Sequence, residues 1–169
     1  MQLTTDPFYF SYRFDRTPTD DGRELEVSAA YPNPDGWLTI PWNNHVTRPV
    51  DPAAPAPTVG GWTLLHGPAV FQITAEIGLM DPTPLASAHI GLADVDQDGQ
   101  VVAGRNAWEW EIAEKEGNTA HLNGTWCGNL AAGRRLWLRC DYWHAPAPAL
   151  MYRANVTGIY WRPPAPPQE

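Results

Sequence analysis

The sequence predicts an all-β antiparallel sandwich, and three observations carry that prediction. Apolar and polar residues alternate with period two over several long runs. Turn residues break those runs about every ten positions, the spacing of a sandwich. Eighteen prolines and 14 glycines, clustered between the apolar runs, leave little room for long helices. Hydrophobic residues are 43% of the 169 positions, and there are nine Trp, so one domain with a substantial core is expected.

The elements follow in order. Residues 1–26 are polar except for Phe8-Tyr9-Phe10 and Tyr12, and read as an arm or an edge strand. The clearest strand is Val70 to Leu79: Phe71, Ile73, Ala75, Ile77 and Leu79 share one face, Gln72, Thr74 and Glu76 the other. Asp81-Pro82-Thr83-Pro84 stops it. Ala86 to Leu92 repeats the pattern with Ala88, Ile90 and Leu92 inward. Asp98-Gly99 is a hairpin dipeptide, because glycine accepts the positive φ of the turn.

Trp108 to Ile112 alternates as a strand, while its continuation Ala113-Glu114-Lys115-Glu116 has helix propensity. Thr119 to Leu130 places Ala120, Leu122, Gly124, Trp126 and Leu130 on one face. After the turn Ala131-Ala132-Gly133, Leu136, Leu138, Cys140 and Tyr142 do the same. A last strand spans Met151 to Trp161. Pro163-Pro164-Ala165-Pro166-Pro167 then makes residues 163–169 a stiff tail, which leaves 27–162 as the domain. The Ala/Pro stretches Pro49–Thr58 and Ala145–Ala149 are loops inside it. Strand parity sets Cys140 inward and Cys127 outward, so two free thiols are expected instead of a disulfide.

The formal charge of −8 disfavours direct binding to a phosphate backbone. Met1 to Asp6 lacks the basic and apolar regions of a signal peptide. No apolar stretch approaches the roughly 20 residues of a membrane helix. Synthesis in a cytoplasm, with neither nucleic acid nor membrane as partner, is the expectation.

The strand order resembles the C1q/TNF-like jelly roll, versions of which occur on bacteriophage fibres, minor tail proteins and capsid decorations. The resemblance is carried by Gly36-Trp37-Leu38-Thr39-Ile40-Pro41-Trp42-Asn43 and by Gly61-Trp62-Thr63-Leu64 before the long strand. It continues in Asn118 to Gly124, leading into Leu130 to Leu138, and in Asn155-Val156-Thr157-Gly158-Ile159-Tyr160. Arg134 stands where the family commonly has an acid, and the Asp81 to Pro84 break is unusual for it. The resemblance implies a homotrimeric jelly roll with no cofactor. It also implies a virion structural role as a capsid decoration or head-fibre protein, with major capsid or other virion proteins as partners. A tail-associated module binding host glycan is the alternative; a carbohydrate-active or cupin-like enzyme ranks last.

Candidate chemistry is sparse. Asp94, Asp96 and Asp98, alternating before Gly99, suit either a Ca²⁺ loop or a solvated hairpin tip. Arg105 at the twelfth position, where an EF-hand needs a bidentate Glu, favours the tip. His89 and His121 fall on outward strand positions and form a candidate neighbouring pair, read as solvated side chains. Glu109 and Glu111 read as the wet face of a strand, and no catalytic constellation emerges. Trp137 and Trp143 fall opposite to Leu136, Leu138 and Tyr142, so they point outward toward a neighbouring subunit or a sugar ring. Phe8, Tyr9 and Phe10 form a candidate anchor to a subunit or capsid.

Overall fold

The computed structural model describes residues 6–15, 25–27, 38–40, 42, 44–52, 62–80, 86–112, 119–143 and 149–163. Every regular element among them is a strand: β1 (Phe8–Asp15), β2 (Leu25–Val27), β3 (Leu38–Thr39), β4 (Asn44–Arg48), β5 (Thr63–His66), β6 (Ala69–Met80), β7 (Ala86–Val95), β8 (Val101–Ile112), β9 (Thr119–Leu130), β10 (Arg135–Trp143) and β11 (Ala149–Trp161). They form two antiparallel sheets. One runs β4-β1-β11-β6-β9, with β2 continuing the line of β1 along β11. The other runs β3-β10-β7-β8, with β5 and β3 sharing one side of β10. From β6 onward the chain crosses between sheets after β6, β8, β9 and β10. This is the antiparallel jelly-roll sandwich that the sequence predicts.

Period two builds the core. Phe71, Ile73, Ala75, Ile77 and Leu79 of β6 are all buried, and so are Leu136, Leu138, Cys140 and Tyr142 of β10. Ala88, Ile90 and Leu92 of β7 complete the facing layer. Leu122, Trp126 and Leu130 of β9 and Met151, Val156 and Tyr160 of β11 join them, and each large apolar side chain removed from water contributes roughly 1.5–3 kcal/mol. The Asp98-Gly99 turn joins β7 to β8 with Gly99 at φ 81°, and Gly133 at φ 73° closes the turn before β10.

Residues 8–15, expected as an arm or edge strand, form β1, which has β11 on one side and β4 on the other. The reason lies in a second alternation: Phe8, Phe10, Tyr12 and Phe14 pack against the core while Tyr9 and Arg13 are exposed. The segment after Ile112, ambiguous between strand and helix, lies outside the described residues, as do the Asp81 to Pro84 break and the tail beyond Pro163.

One polar cluster is buried at the edge of this core. Asp51 Oδ2 accepts from Tyr160 Oη at 2.7 Å and from Arg162 Nε at 2.8 Å. Arg162 also donates through Nη1 to the carbonyls of His66 and Pro68. The link ties the segment after β4 to the end of β11 and to the β5–β6 connection.

Candidate functional site

The β7–β8 hairpin does not assemble its three carboxylates. Asp94 pairs with Arg105, whose Nη2 and Nε lie 3.1 and 3.3 Å from its two oxygens. Asp96 turns inward on its own loop, where Oδ1 accepts from the backbone N–H of Asp98 at 2.9 Å and of Gln100 at 2.8 Å. The carbonyls of Asp96 and Gln97 accept from Arg135 Nη2 at 2.9 and 3.0 Å. A guanidinium therefore occupies the loop oxygens a cation would need. Among the described residues no group of three or more His, Cys, Asp or Glu is arranged to hold a metal ion. Asp98 is exposed at the tip.

Trp137 sits on the outer face of the five-stranded sheet, as parity requires, but its ring is engaged by its own chain. A Cβ placed on Gly99 would lie 3.2 Å from Trp137 Cη2, so the indole closes directly over that glycine. Arg135 packs over the ring, and Nε1 donates to Thr63 Oγ1 at 3.2 Å. Trp137 thus braces the hairpin. Among the tryptophans whose side chains are described, Trp62, just before β5, stands out into solvent, at 45% exposure. It precedes the strand in a Gly-rich stretch without periodicity, so parity gave it no direction. The Trp143 side chain, like those of Glu109 and Glu111, lies outside the described residues.

The aromatic anchor divides by alternation. Phe10 is buried, and Phe8 stacks on Tyr160 with ring centroids 5.1 Å apart. Both rings thus pack within the chain, Phe8 remaining partly exposed. Tyr9, 55% exposed, points outward from the six-stranded sheet, diagonal to the exposed Val46 on β4. Arg13 and Arg48 are exposed on the same two strands. On β8, the edge strand of the five-stranded sheet, Val101 and Val102 are exposed, as is Asp98 in the preceding turn.

The proposed pairing of His89 with His121 does not occur. They stand on different sheets, β7 and β9, whose outer faces point in opposite directions. His89 Nδ1 lies 2.7 Å from Asp141 Oδ1, a side chain almost wholly buried. His121 instead belongs to a cluster that strand parity misses. Its Nδ1 lies 3.1 Å from Glu76 Oε1, its Nε2 lies 3.3 Å from Tyr152 Oη, and Arg153 Nη2 donates to the same Glu76 oxygen. A register shift between Met151 and Arg153 brings Tyr152 and Arg153 onto one face, breaking the alternation of β11.

The thiols follow expectation: Cys127 is exposed, Cys140 is buried, and both are free. Burial, followed by the neighbouring Asp141 charge, pushes the Cys140 thiol far above its ordinary range, so it stays protonated.

No family model matches the sequence, and no curated protein matches it. Among solved structures, the chain is similar to Eiger TNF from S. frugiperda, with a TM-score of 0.47 and 16% identity over 95% of this chain and 98% of that one. It is also similar to chains of infectious bursal disease virus. The Gt strain gives a TM-score of 0.45 at 11% identity over 94% of this chain, and the Gx strain 0.42 at 11% over 93%. The match spans 36% and 32% of those two viral chains.

Proposed function

We propose that this chain is a virion structural protein, a homotrimeric capsid decoration or head-fibre protein of a bacteriophage. The virion assignment rests on the sequence resemblance to phage-borne jelly rolls. Its assembly is supported by one observation, the presence of two unlike exposed surfaces that complement each other. One carries Tyr9 and Val46 with Arg13 and Arg48; the other carries Val101 and Val102 with Asp98. Apolar groups on both sides, flanked by arginines on one and an acid on the other, suit contact between copies. Because the surfaces differ, that contact is head-to-tail, and a head-to-tail contact closes into a trimeric ring when each copy is rotated by a third of a turn from the last.

Light scattering of the purified protein tests the assembly: three times the 18.7 kDa chain mass is expected. Val102→Asp and Arg48→Glu should each shift the mass toward the monomer. A monomer at every concentration, or a trimer indifferent to both substitutions, refutes this arrangement. Mass spectrometry of purified phage particles tests the virion assignment, and its absence from them would end that reading.

A further inference from the structure

The cluster around Tyr152 lies outside the core, yet four separate features hold it in place. The register shift in β11 sends both Tyr152 and Arg153 to the outer face of the six-stranded sheet. Gly78, in the middle of β6, leaves the space the phenol ring occupies: a Cβ there would lie 2.6 Å from Tyr152 Cζ and 2.8 Å from its hydroxyl. His121 meets the ring edge-on, with centroids 6.2 Å apart, and links its hydroxyl to Glu76. Arg153 lies over the same ring at 5.7 Å and shares Glu76. Half-exposed ion pairs of this kind contribute only about 0–1 kcal/mol to folding. A glycine in mid-strand and an interrupted ladder both weaken a sheet. The arrangement is therefore better explained as a preorganised surface than as a stabilising one.

We infer that this surface is a binding site for a neutral saccharide. A tyrosine ring fixed against a sheet gives apolar contact to the C–H side of a sugar ring, and planar polar groups around it match the hydroxyls. Glu76 and Arg153 supply such groups, and their opposite charges cancel. An acidic sugar would have to compete with Glu76 for Arg153, which argues for an uncharged ligand. The neighbouring rungs extend the surface with neutral hydrogen-bonding groups. Asn123 and Asn155 flank Glu76 across β9 and β11, and Thr125, Thr74 and Thr157 form the next row, with Thr74 and Thr125 hydroxyls 3.1 Å apart. Arg153 lies along β11 from Ile159, the register partner of Tyr9, by about 20 Å at roughly 3.4 Å per residue, while Asn155, on the near side of the surface, is the register partner of Arg13 and so adjoins the contact proposed above.

Saturation-transfer NMR on the full chain tests this with a fixed panel of probes: neutral oligomers of glucose, galactose, mannose and N-acetylglucosamine, plus a sialylated and a sulfated oligosaccharide. Transfer to at least one neutral probe is expected. Tyr152→Ala should abolish it, and Glu76→Gln should weaken it about tenfold, the effect of losing one good hydrogen bond. Trp62→Ala should leave it intact. Circular dichroism confirms that each variant is folded, and Tyr152→Phe, which keeps the ring, should retain part of the signal. No transfer from any neutral probe, transfer confined to the charged probes, or transfer that survives Tyr152→Ala would each overturn the inference. Loss with Trp62→Ala instead would place the site elsewhere and overturn it equally. None of these outcomes depends on the mass in solution, so the trimer can fail while the site stands.

Discussion

Removing the Asp51 carboxylate isolates a buried charge, and its consequence can be worked through. The Arg162 side chain is 8% exposed and the Asp51 side chain 1%. In Asp51→Ala the guanidinium keeps its two carbonyl acceptors, His66 and Pro68, but loses its counter-charge, and Tyr160 loses its acceptor. Breaking a buried pair from one side destabilises by about 3–5 kcal/mol, because the surviving charge stays out of water. For a domain of this size about 1 kcal/mol moves the melting temperature by roughly 2–4 °C, so a drop of about 6–20 °C is expected. Tyr160→Phe spares the ion pair and removes one hydrogen bond to a charged acceptor, worth about 1.5–3 kcal/mol. Urea unfolding followed by tryptophan fluorescence, at one fixed protein concentration, measures both variants and the double variant. The double variant should be more stable than the sum of the single losses implies, since both act on one carboxylate. A loss under about 1 kcal/mol in Asp51→Ala, or strict additivity with Tyr160→Phe, refutes the reasoning.

Three further outcomes are expected. A thiol-reactive chromogenic disulfide should titrate one cysteine in the folded protein and two in denaturant, with Cys127→Ser abolishing the folded-state reaction; two fast thiols would show that Cys140 is accessible. Burial, then the charges of Arg135 and Arg162, hold His66 below its ordinary value of about 6.5. The unfolded chain takes that proton more readily, so the contribution of His66 is complete above about pH 6.5 and is lost as pH falls through the depressed folded-state value. Urea midpoints at descending pH should fall, and His66→Gln should flatten that slope; an unchanged slope would assign the acid sensitivity to other groups. Calcium or a chelator should leave the melting temperature where it is, since Arg105 and Arg135 engage the loop oxygens. A calcium-dependent rise would mean that those guanidinium groups are displaced.

What was legible in the sequence is what repeats locally. The inward faces of β6, β7, β9 and β10 could be read because a half-buried strand writes its environment every second residue. Gly99 was legible too, since a hairpin turn needs a positive φ at one position. Asp51 was not: it sits in an Ala/Pro stretch that reads as loop, and its partners lie 109 and 111 residues away. The Tyr152 cluster was hidden for a different reason. A register shift moves parity by one residue, so Tyr152 and Arg153, adjacent in sequence, emerge on the same face where alternation sets neighbours on opposite ones. Trp137 shows the limit of parity itself. The direction of its side chain was predictable, but its contacts with Gly99 and Thr63 depend on a turn and a strand from elsewhere in the chain.

The place of β11 also bears on how the molecule comes into being. It follows every other described strand in the chain, yet it runs down the middle of its sheet, between β1 and β6. Phe8 has to wait for Tyr160 before it acquires its partner on that side. During synthesis β6 can find β9, and β7 can find β8 and β10, but β1 and β6 share no neighbour until β11 leaves the ribosome. A nascent chain at that stage carries two open edges and an uncovered aromatic strip, which a second nascent chain can fill with its own late strand. Closure over so long a span is also slow. Yield in the cell should therefore depend on how quickly the final strand is delivered, and lowering the expression temperature should raise the soluble fraction more than adding stabilising substitutions in β6 or β10.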